Sequence, residues 1–375
     1  MIKNKLGNFV KIKTGKLDAN ASSLDGEYPF FTCSKEPLKI SSYSYDCKCV
    51  LVAGNGDLNV KYYEGKFDAY QRTYIIESKD ESVLNIRYLY WFLFKYVEKL
   101  RELSIGGVIK YIKINNLTDP IIPLPPLEDQ IRIVKILDEA DALRQKRKQA
   151  ITLLDDYLKS VFLEMFGDLN ANDKNWKYLE FGNYISILTD YHANGSYKIL
   201  KKNVTLLDDP NYSLMVRTTD LENNNFEKGV KYIDEHAYNF LEKSKVYGGE
   251  IIINKIGSAG KVYLMPKLNQ PVSLGMNVFL LRFNDNANVI FMYYLLTSHY
   301  GETIIQKKVK GAVTKTIRKD AIRSLKVPNI TIDLQNKFSD IFIKTDKLKQ
   351  AMLTQTSELE TQFQALMQKA FKGEL

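Results

Sequence analysis

The chain has 375 residues, 45% of them hydrophobic and 12% aromatic, and carries a net charge of +9. Such a composition supports ordinary buried cores and excludes a disordered or fibrous protein. No apolar run approaches the ~18 residues of a membrane span, and the leading stretch "MIKNKLGNFVKIKTGK" lacks the apolar segment of a secretion signal, so a cytoplasmic chain is expected.

Taken in chain order, "KCVLVAGNG" and "RTYIIES" are β-branched or aromatic runs bounded by Gly, Asn and Lys, which predict strands and turns. Cys33, Cys47 and Cys49 are odd in number, and the Cys-x-Cys pair has no second ligand pair nearby, so reduced, strand-buried thiols are expected rather than zinc. "NIRYLYWFLFKYVEKLREL" predicts one helix, followed by a Gly-containing loop and a short strand. After Pro125 and Pro126, which permit a helix to start, Ile133, Leu137, Ala140, Ile151, Leu154, Leu158, Val161 and Met165 recur in steps of three and four around a polar gap at Arg144 and Arg147. That spacing is a coiled-coil seam. Gly167 stands where a helix end favours positive φ. "EIIINKIG" and "NVFLLRF" predict strands again, and "NVIFMYYLLTSHYGETIIQKKV" one more helix. A second seam follows at Phe338, Phe342, Met352, Leu359, Phe363, Leu366 and Ala370, closed by Gly373. Each long helix covers about forty residues, about 60 Å at ~1.5 Å per residue, and two similar seams most simply pack on each other.

The order is written twice. "GGVIKYIKINNLTDPIIPLPPLEDQIRIVKILDEADAL", from Gly106, returns without gaps as "GAVTKTIRKDAIRSLKVPNITIDLQNKFSDIFIKTDKL", from Gly311: Gln130 matches Gln335, Asp141 Asp346, Leu143 Leu348 and Phe166 Phe371, always 205 residues apart (335 − 130). A unit of about two hundred residues is far longer than a solenoid repeat of roughly 20–50. The expected division is an α+β domain at 1–125, a helical spacer at 126–168, a second domain at 169–327 and a second spacer at 328–375. Their net charges are +4, −2, +7 and zero. The positive excess is confined to the domains, which fits a polyanionic partner because phosphate contacts dominate nucleic-acid affinity; a solvated basic surface is the alternative.

The sequence of basic α+β domain, "IPLPPLEDQIRIVKILDEADAL", long helix ending "VFLEMFGDL", second domain and second helix ending "LMQKAFKGEL" resembles the specificity subunit of Type I restriction-modification systems. The resemblance covers essentially the whole chain, and its motifs are the Pro-Pro-Leu-x-x-Gln lead-in and the Ala-Phe-x-Gly-Glu-Leu ending. It implies an α+β fold with two tandem target recognition domains, each followed by a long helix, the helices forming an antiparallel coiled coil with pseudo-twofold symmetry. It also implies a non-catalytic chain on double-stranded DNA, each domain reading half of a bipartite asymmetric site. The helix pair sets the unread gap and docks two methyltransferase subunits, to which restriction subunits add. Cofactors then belong to partners: S-adenosylmethionine to the methyltransferase, ATP and Mg to a restriction subunit. One departure stands out. The second lead-in is "VPNITIDLQ", with Ile330 and Thr331 where Pro125 and Pro126 stand, which predicts a weaker helix start.

Candidate DNA contacts are the Gly-rich loops before each long helix, Gly106 and Gly107 with Lys110, Tyr111 and Lys113, and Gly311 with Thr314, Lys315, Thr316 and Arg318, whose amides and cations suit phosphates. For base edges, amide side chains pair with adenine and Arg or Lys with guanine. Asn55, Asn59, Lys61, Tyr70, Gln71 and Arg72 are the candidates in the first domain, and Lys255, Ser258, Lys261 and Asn277 in the second.

Catalytic motifs are incomplete. "GSAGK" (Gly257 to Lys261) has Lys255 and Val262 where a phosphate loop needs Gly and Ser or Thr. "DPNY" (Asp209 to Tyr212) has Asn211 where an adenine methyltransferase has its second proline, with no cofactor loop ahead of it. Glu77-Ser78-Lys79 lacks the Pro-Asp partner of a nuclease, and the order is reversed at Asp119-Pro120. His192, His236 and His299 stand apart from other ligands. A self-contained methyltransferase or nuclease with an unrecognised site and a coiled-coil scaffold that never meets DNA are the alternatives.

Overall fold

A computed structural model describes residues 2–375, so residue 1 of the expected first domain lies outside the described residues. The chain forms two compact units. One runs through Ile151 and resumes at Ala351–Leu375; the other is Thr152–Gln350. Both cuts fall inside long helices, because packing groups each helix half with the domain it touches.

The first unit contains β1 (Ile2–Lys5), β2 (Val10–Thr14), β3 (Tyr28–Phe31), β4 (Leu38–Ile40), β5 (Tyr45–Ala53), β6 (Val60–Ala69), β7 (Thr73–Ser78), α1 (Ile86–Leu103), the single turn α2 (Asn115–Thr118) and β8 (Ile121–Leu124), and then the start of α3 (Leu127–Phe166). Six strands form one sheet, β2-β7-β5-β6-β3-β4, antiparallel except for β3 against β6. Val50, Val52 and Ile76 on this sheet pack against Tyr88, Leu89, Trp91 and Leu93 of α1. β1 pairs antiparallel with β8, closing the domain immediately before α3.

The second unit holds β9 (Tyr178–Glu180), β10 (Ile185–Asp190), α4 (Tyr197–Asn203), β11 (Ser213–Val216), α5 (Thr218–Glu222), β12 (Lys231–Ile233), α6 (Glu235–Phe240), β13 (Lys245–Val246), β14 (Ile251–Asn254), β15 (Val262–Leu264), β16 (Val272–Leu274) and β17 (Val278–Phe283). After these come α7 (Val289–Thr297), α8 (His299–Gln306), α9 (Lys319–Arg323), β18 (Lys326–Pro328) and the start of α10 (Ile332–Lys372). Its strands make two four-stranded sheets, β10-β17-β14-β15 and β12-β11-β16-β13, with β9 and β18 repeating the closing ribbon. The single helix expected from "NVIFMYYLLTSHYGETIIQKKV" is two. Ser298 turns the chain with extended backbone, and its Oγ accepts from the Gly301 N–H at 3.2 Å to cap α8. A side chain at Gly301 would strike the Leu295 carbonyl, so this break needs glycine.

A buried glutamine ties each domain to its long helix. Gln130 donates to the carbonyls of Val83 (2.9 Å) and Pro125 (3.0 Å) and accepts from the Asn85 N–H (2.9 Å). Gln335 donates to Asn286 (3.1 Å) and Ile330 (2.8 Å) and accepts from Asn288 (2.9 Å). Asn85 and Asn288 are themselves the N-caps of α1 and α7, so one amide joins cap, lead-in and stalk. The expected weakness of the second helix start is not found. α10 begins at Ile332 as α3 begins at Leu127, because the Thr331 carbonyl accepts from Gln335 N–H as Pro126 does from Gln130 N–H. Gly167 (φ 74°) and Gly373 (φ 82°) end the helices in the left-handed region, as their positions predict.

Within each unit the helix halves run antiparallel. In the first, Arg132 bonds the Leu375 carbonyl and Arg144 bonds Glu360; in the second, Asp155 meets Lys349 and Phe162 meets Phe338. Ile133, Leu137, Phe363, Met367 and Ala370 are buried in the first core, and Leu158, Phe162, Phe166 and Phe338 are buried in the second unit. Phe162, Phe166 and Met367 lie off the expected seams, because the helix ends face their domains as well as each other. Arg144, expected in a polar gap, is buried: it grips both oxygens of Glu360 (3.0 and 2.7 Å) over the ring of Phe363. Its duplicate, Lys349 with Asp155 at 2.6 Å, is the same pair 205 residues displaced (349 − 144, 360 − 155).

Candidate nucleic-acid interface

Three loops converge at Gly54 at the end of β5. Its N–H donates to the Arg72 carbonyl (2.8 Å) in the β6–β7 turn, and its own carbonyl accepts from the Ile112 N–H (2.9 Å) in the loop after α1. Gly56 N–H then bonds the Lys110 carbonyl (2.9 Å), and Asn55 bridges to Tyr111. Candidates that are distant in sequence, Asn55, Tyr70, Gln71 and Arg72 on one side and Gly107, Lys110, Tyr111 and Lys113 on the other, thus share one edge of the first domain. A side chain at residue 54 would lie 2.4 Å from the Arg72 carbonyl, so this close approach requires glycine.

The second domain repeats the joint at Lys255. Its N–H donates to the Asn277 carbonyl (2.7 Å) and its carbonyl accepts from Ile317 N–H (3.0 Å), while Gly257 N–H bonds Lys315 and Ile256 bridges to Thr316. Asn277 and Ile317 stand 205 residues after Arg72 and Ile112 (277 − 72, 317 − 112). The edge therefore gathers Lys255, Ser258, Asn277, Gly311, Thr314, Lys315, Thr316 and Arg318 by the same backbone bonds.

Side-chain partners divide the candidates. Arg72, Lys110, Lys113, Thr314, Lys315 and Arg318 are exposed along these loops. Asn59 is turned inward, donating to the Cys33 and Asp57 carbonyls, and Lys61 bonds it; burial holds the Lys61 ammonium below its usual range. Gln71 bonds Asp18. Lys255 joins a triad the sequence does not reveal: it and Lys319 bond the two oxygens of buried Asp190 at 3.1 and 2.8 Å. Burial pushes the Asp190 carboxyl up, but the two lysines outweigh it and hold the group below its ordinary range. Ser258 donates to Glu222 (2.7 Å) and accepts from Asn254 (2.6 Å), beside a Tyr263 phenol pushed up to about 12 by burial and Glu222. Lys261 lies over the Tyr263 ring. Asn59, Lys61, Lys255 and Ser258 are thus engaged within the protein, whereas the loop cations face outward.

Among the described residues, no cluster of three or more His, Cys, Asp or Glu is placed to hold a metal ion, and no helix is long and apolar enough to cross a membrane. Cys33, Cys47 and Cys49 are free thiols, Cys49 buried in β5. "DPNY" lies in an irregular loop in which Asn211 Oδ1 accepts from Tyr212 N–H.

The family of Type I restriction modification DNA specificity domains matches residues 3–153. The Escherichia coli EcoDI specificity subunit is 27% identical over 416 aligned positions, covering 99% of this chain and 87% of that protein. Along nearly its whole length the chain is similar to a Type I specificity subunit. The MjaVIII specificity subunit of Methanocaldococcus jannaschii is 22% identical across 99% of this chain and 92% of its own length. The S subunit of M. genitalium shares the fold, with a TM-score of 0.66 at 17% identity over 99% of this chain and 96% of that one.

Proposed function

We propose that this chain is the sequence-specific DNA-recognition subunit of a Type I restriction-modification complex. The observation that carries the reading is the doubled edge: two basic domains present three loops joined by the same backbone bonds, each next to a long helix held by a buried glutamine. Loop cations engage phosphates and fix each domain on the duplex, and the side chains between them select bases. Each domain reads one half of a bipartite asymmetric site, and the paired helices set the gap between halves. A heptad spans about 10 Å, so helix length translates into whole base pairs of gap.

In this reading the chain directs chemistry and does none. Two methyltransferase subunits, carrying S-adenosylmethionine, dock on the helices, and restriction subunits with ATP and Mg join them. The place of action is the cytoplasm, where the chromosomal DNA lies. The incomplete methyltransferase and nuclease motifs support a non-catalytic role, and the polar, engaged surroundings of Ser258 and Lys261 support a structural use of "GSAGK".

The test is a genome-wide methylation map of the source cells with the gene intact and deleted. One two-part motif with a fixed gap should lose methylation on deletion. An unchanged map in cells where the chain still co-purifies with a methyltransferase would refute the reading, as would methylation or cleavage of DNA by the purified chain alone.

A further inference from the structure

Val108 and Val313 are almost completely exposed, at 103% and 97%, and they are repeat mates (313 − 108 = 205). Each sits at the tip of a loop closed by the same bridge, Ile105 to Tyr111 in one copy and Lys310 to Thr316 in the other, with Gly106 (φ 116°) and Gly311 (φ 104°) turning the chain. Isolated surface aliphatics are ordinary and need no explanation. In this loop three positions change between copies, Gly107 to Ala312, Ile109 to Thr314 and Tyr111 to Thr316, while the valine is kept together with the glycine two before it and the lysine two after it. A side chain fully in water contributes nothing to the packing of its own domain. Its recurrence at one loop position therefore points to a contact outside the chain.

The loop's roots name the contact. Lys110 and Lys315, two residues beyond each valine, are bonded through their carbonyls to Gly56 and Gly257, which places the tips beside the three-loop edge. An aliphatic group two residues from an outward lysine matches a base presented beside a phosphate, where thymine offers its methyl group to apolar side chains in the major groove. We infer that Val108 and Val313 are apolar base contacts, one in each half-site, to thymine methyl groups. The inference rests on the DNA-reading role proposed above and adds a specificity element that cations and amides do not supply.

The experiment uses the chain co-purified with its methyltransferase subunits and two labelled duplexes, one carrying the motif from the methylation map and one unrelated. Val108→Ala and Val313→Ala should each weaken binding to the motif duplex about tenfold, from two lost methyl contacts. Binding to the unrelated duplex should not change. The slope of log affinity against log salt should also stay constant, whereas Lys110→Ala should lower it by about 1 because a phosphate contact is lost. Replacing thymidine by deoxyuridine at one position of each half-site should weaken the wild type and leave the matching alanine variant unaffected. Thermal melting should match wild type, since neither valine is packed. Wild-type affinity in both valine variants would overturn the inference, as would equal loss on both duplexes or loss of methyltransferase subunits from the purified complex, which would make the tip a protein contact. Sensitivity to unstacking without sensitivity to deoxyuridine would likewise overturn the methyl contact in favour of a wedge between bases. A wild-type complex that does not distinguish the two duplexes would instead remove the DNA-reading role itself.

Discussion

At the joint of the first edge stands Gly54, and at the joint of the second stands Lys255. The backbone bonds around them are alike, but Gly54 is fixed by a carbonyl 2.4 Å from where a side chain would begin, and Lys255 turns its side chain to Asp190 and shares it with Lys319. The outward groups differ as well: Arg72 against Asn277, Tyr111 against Thr316, Asn55 against Ile256. A frame held by main-chain hydrogen bonds leaves its side chains free to diverge. That is the arrangement needed by two readers that share a mechanism and read different bases.

The comparison extends down the helices, where alike and unlike parts can be separated by mutation. Phe363→Ala and Phe338→Ala empty buried aromatic sites in the first and second unit, and each should lower stability by about 3–5 kcal/mol. Hydrogen exchange should rise in α1 for the former and in α7 for the latter; equal exchange in both helices for either variant would break the division into two packing units. Next in size, Gln130→Ala and Gln335→Ala should cost about the same, roughly 2 kcal/mol, because each strands one N–H and two carbonyls in like settings. Denaturant titration that finds one nearly neutral would show that the two joints are not equivalent.

The ion pairs should separate the units. Arg144→Met should cost about 1–2 kcal/mol, since the bidentate pair with Glu360 is charge-assisted and its arginine is buried. Lys349→Met should cost under about 1 kcal/mol, because the pair with Asp155 is half in solvent. A larger loss at Lys349 than at Arg144 would contradict the assignment of the tighter clamp to the first unit. The smallest effect is on pH. Asp190 titrates below its ordinary range when folded, so its contribution is complete above about pH 4 and disappears as pH falls through the folded value. Asp190→Asn should therefore flatten the acid limb of the melting curve of the second domain, and an unaltered limb would place the acid sensitivity elsewhere.

Much of this architecture was legible in the sequence. The gapless repeat fixes which residues are mates, and the expected spacer at 126–168 locates α3 to within two residues, whereas α10 begins at Ile332, four residues after the expected spacer start at 328. The break at Ser298 was not legible, since it depends on a close approach of Gly301 to the Leu295 carbonyl that only the folded backbone reveals. Nor was the burial of Arg144, whose partner lies 216 residues away. Among the site candidates, spacing brings the right loops together but cannot tell an outward cation from one with an internal partner. Lys61 and Lys255 read like Lys110 until Asn59 and Asp190 are seen beside them. Val108 and Val313 are visible in the sequence as repeat mates, but only their exposure separates them from core valines.

The central claim is that the two domains read separate halves of one site. The most direct measurement is the methylated motif in cells whose chain has residues 169–327 replaced by the matching segment of a relative with a different target. One half of the motif should change, while the other half and the gap stay as they were. A change in both halves, or a methylated motif identical to the original, would contradict the account.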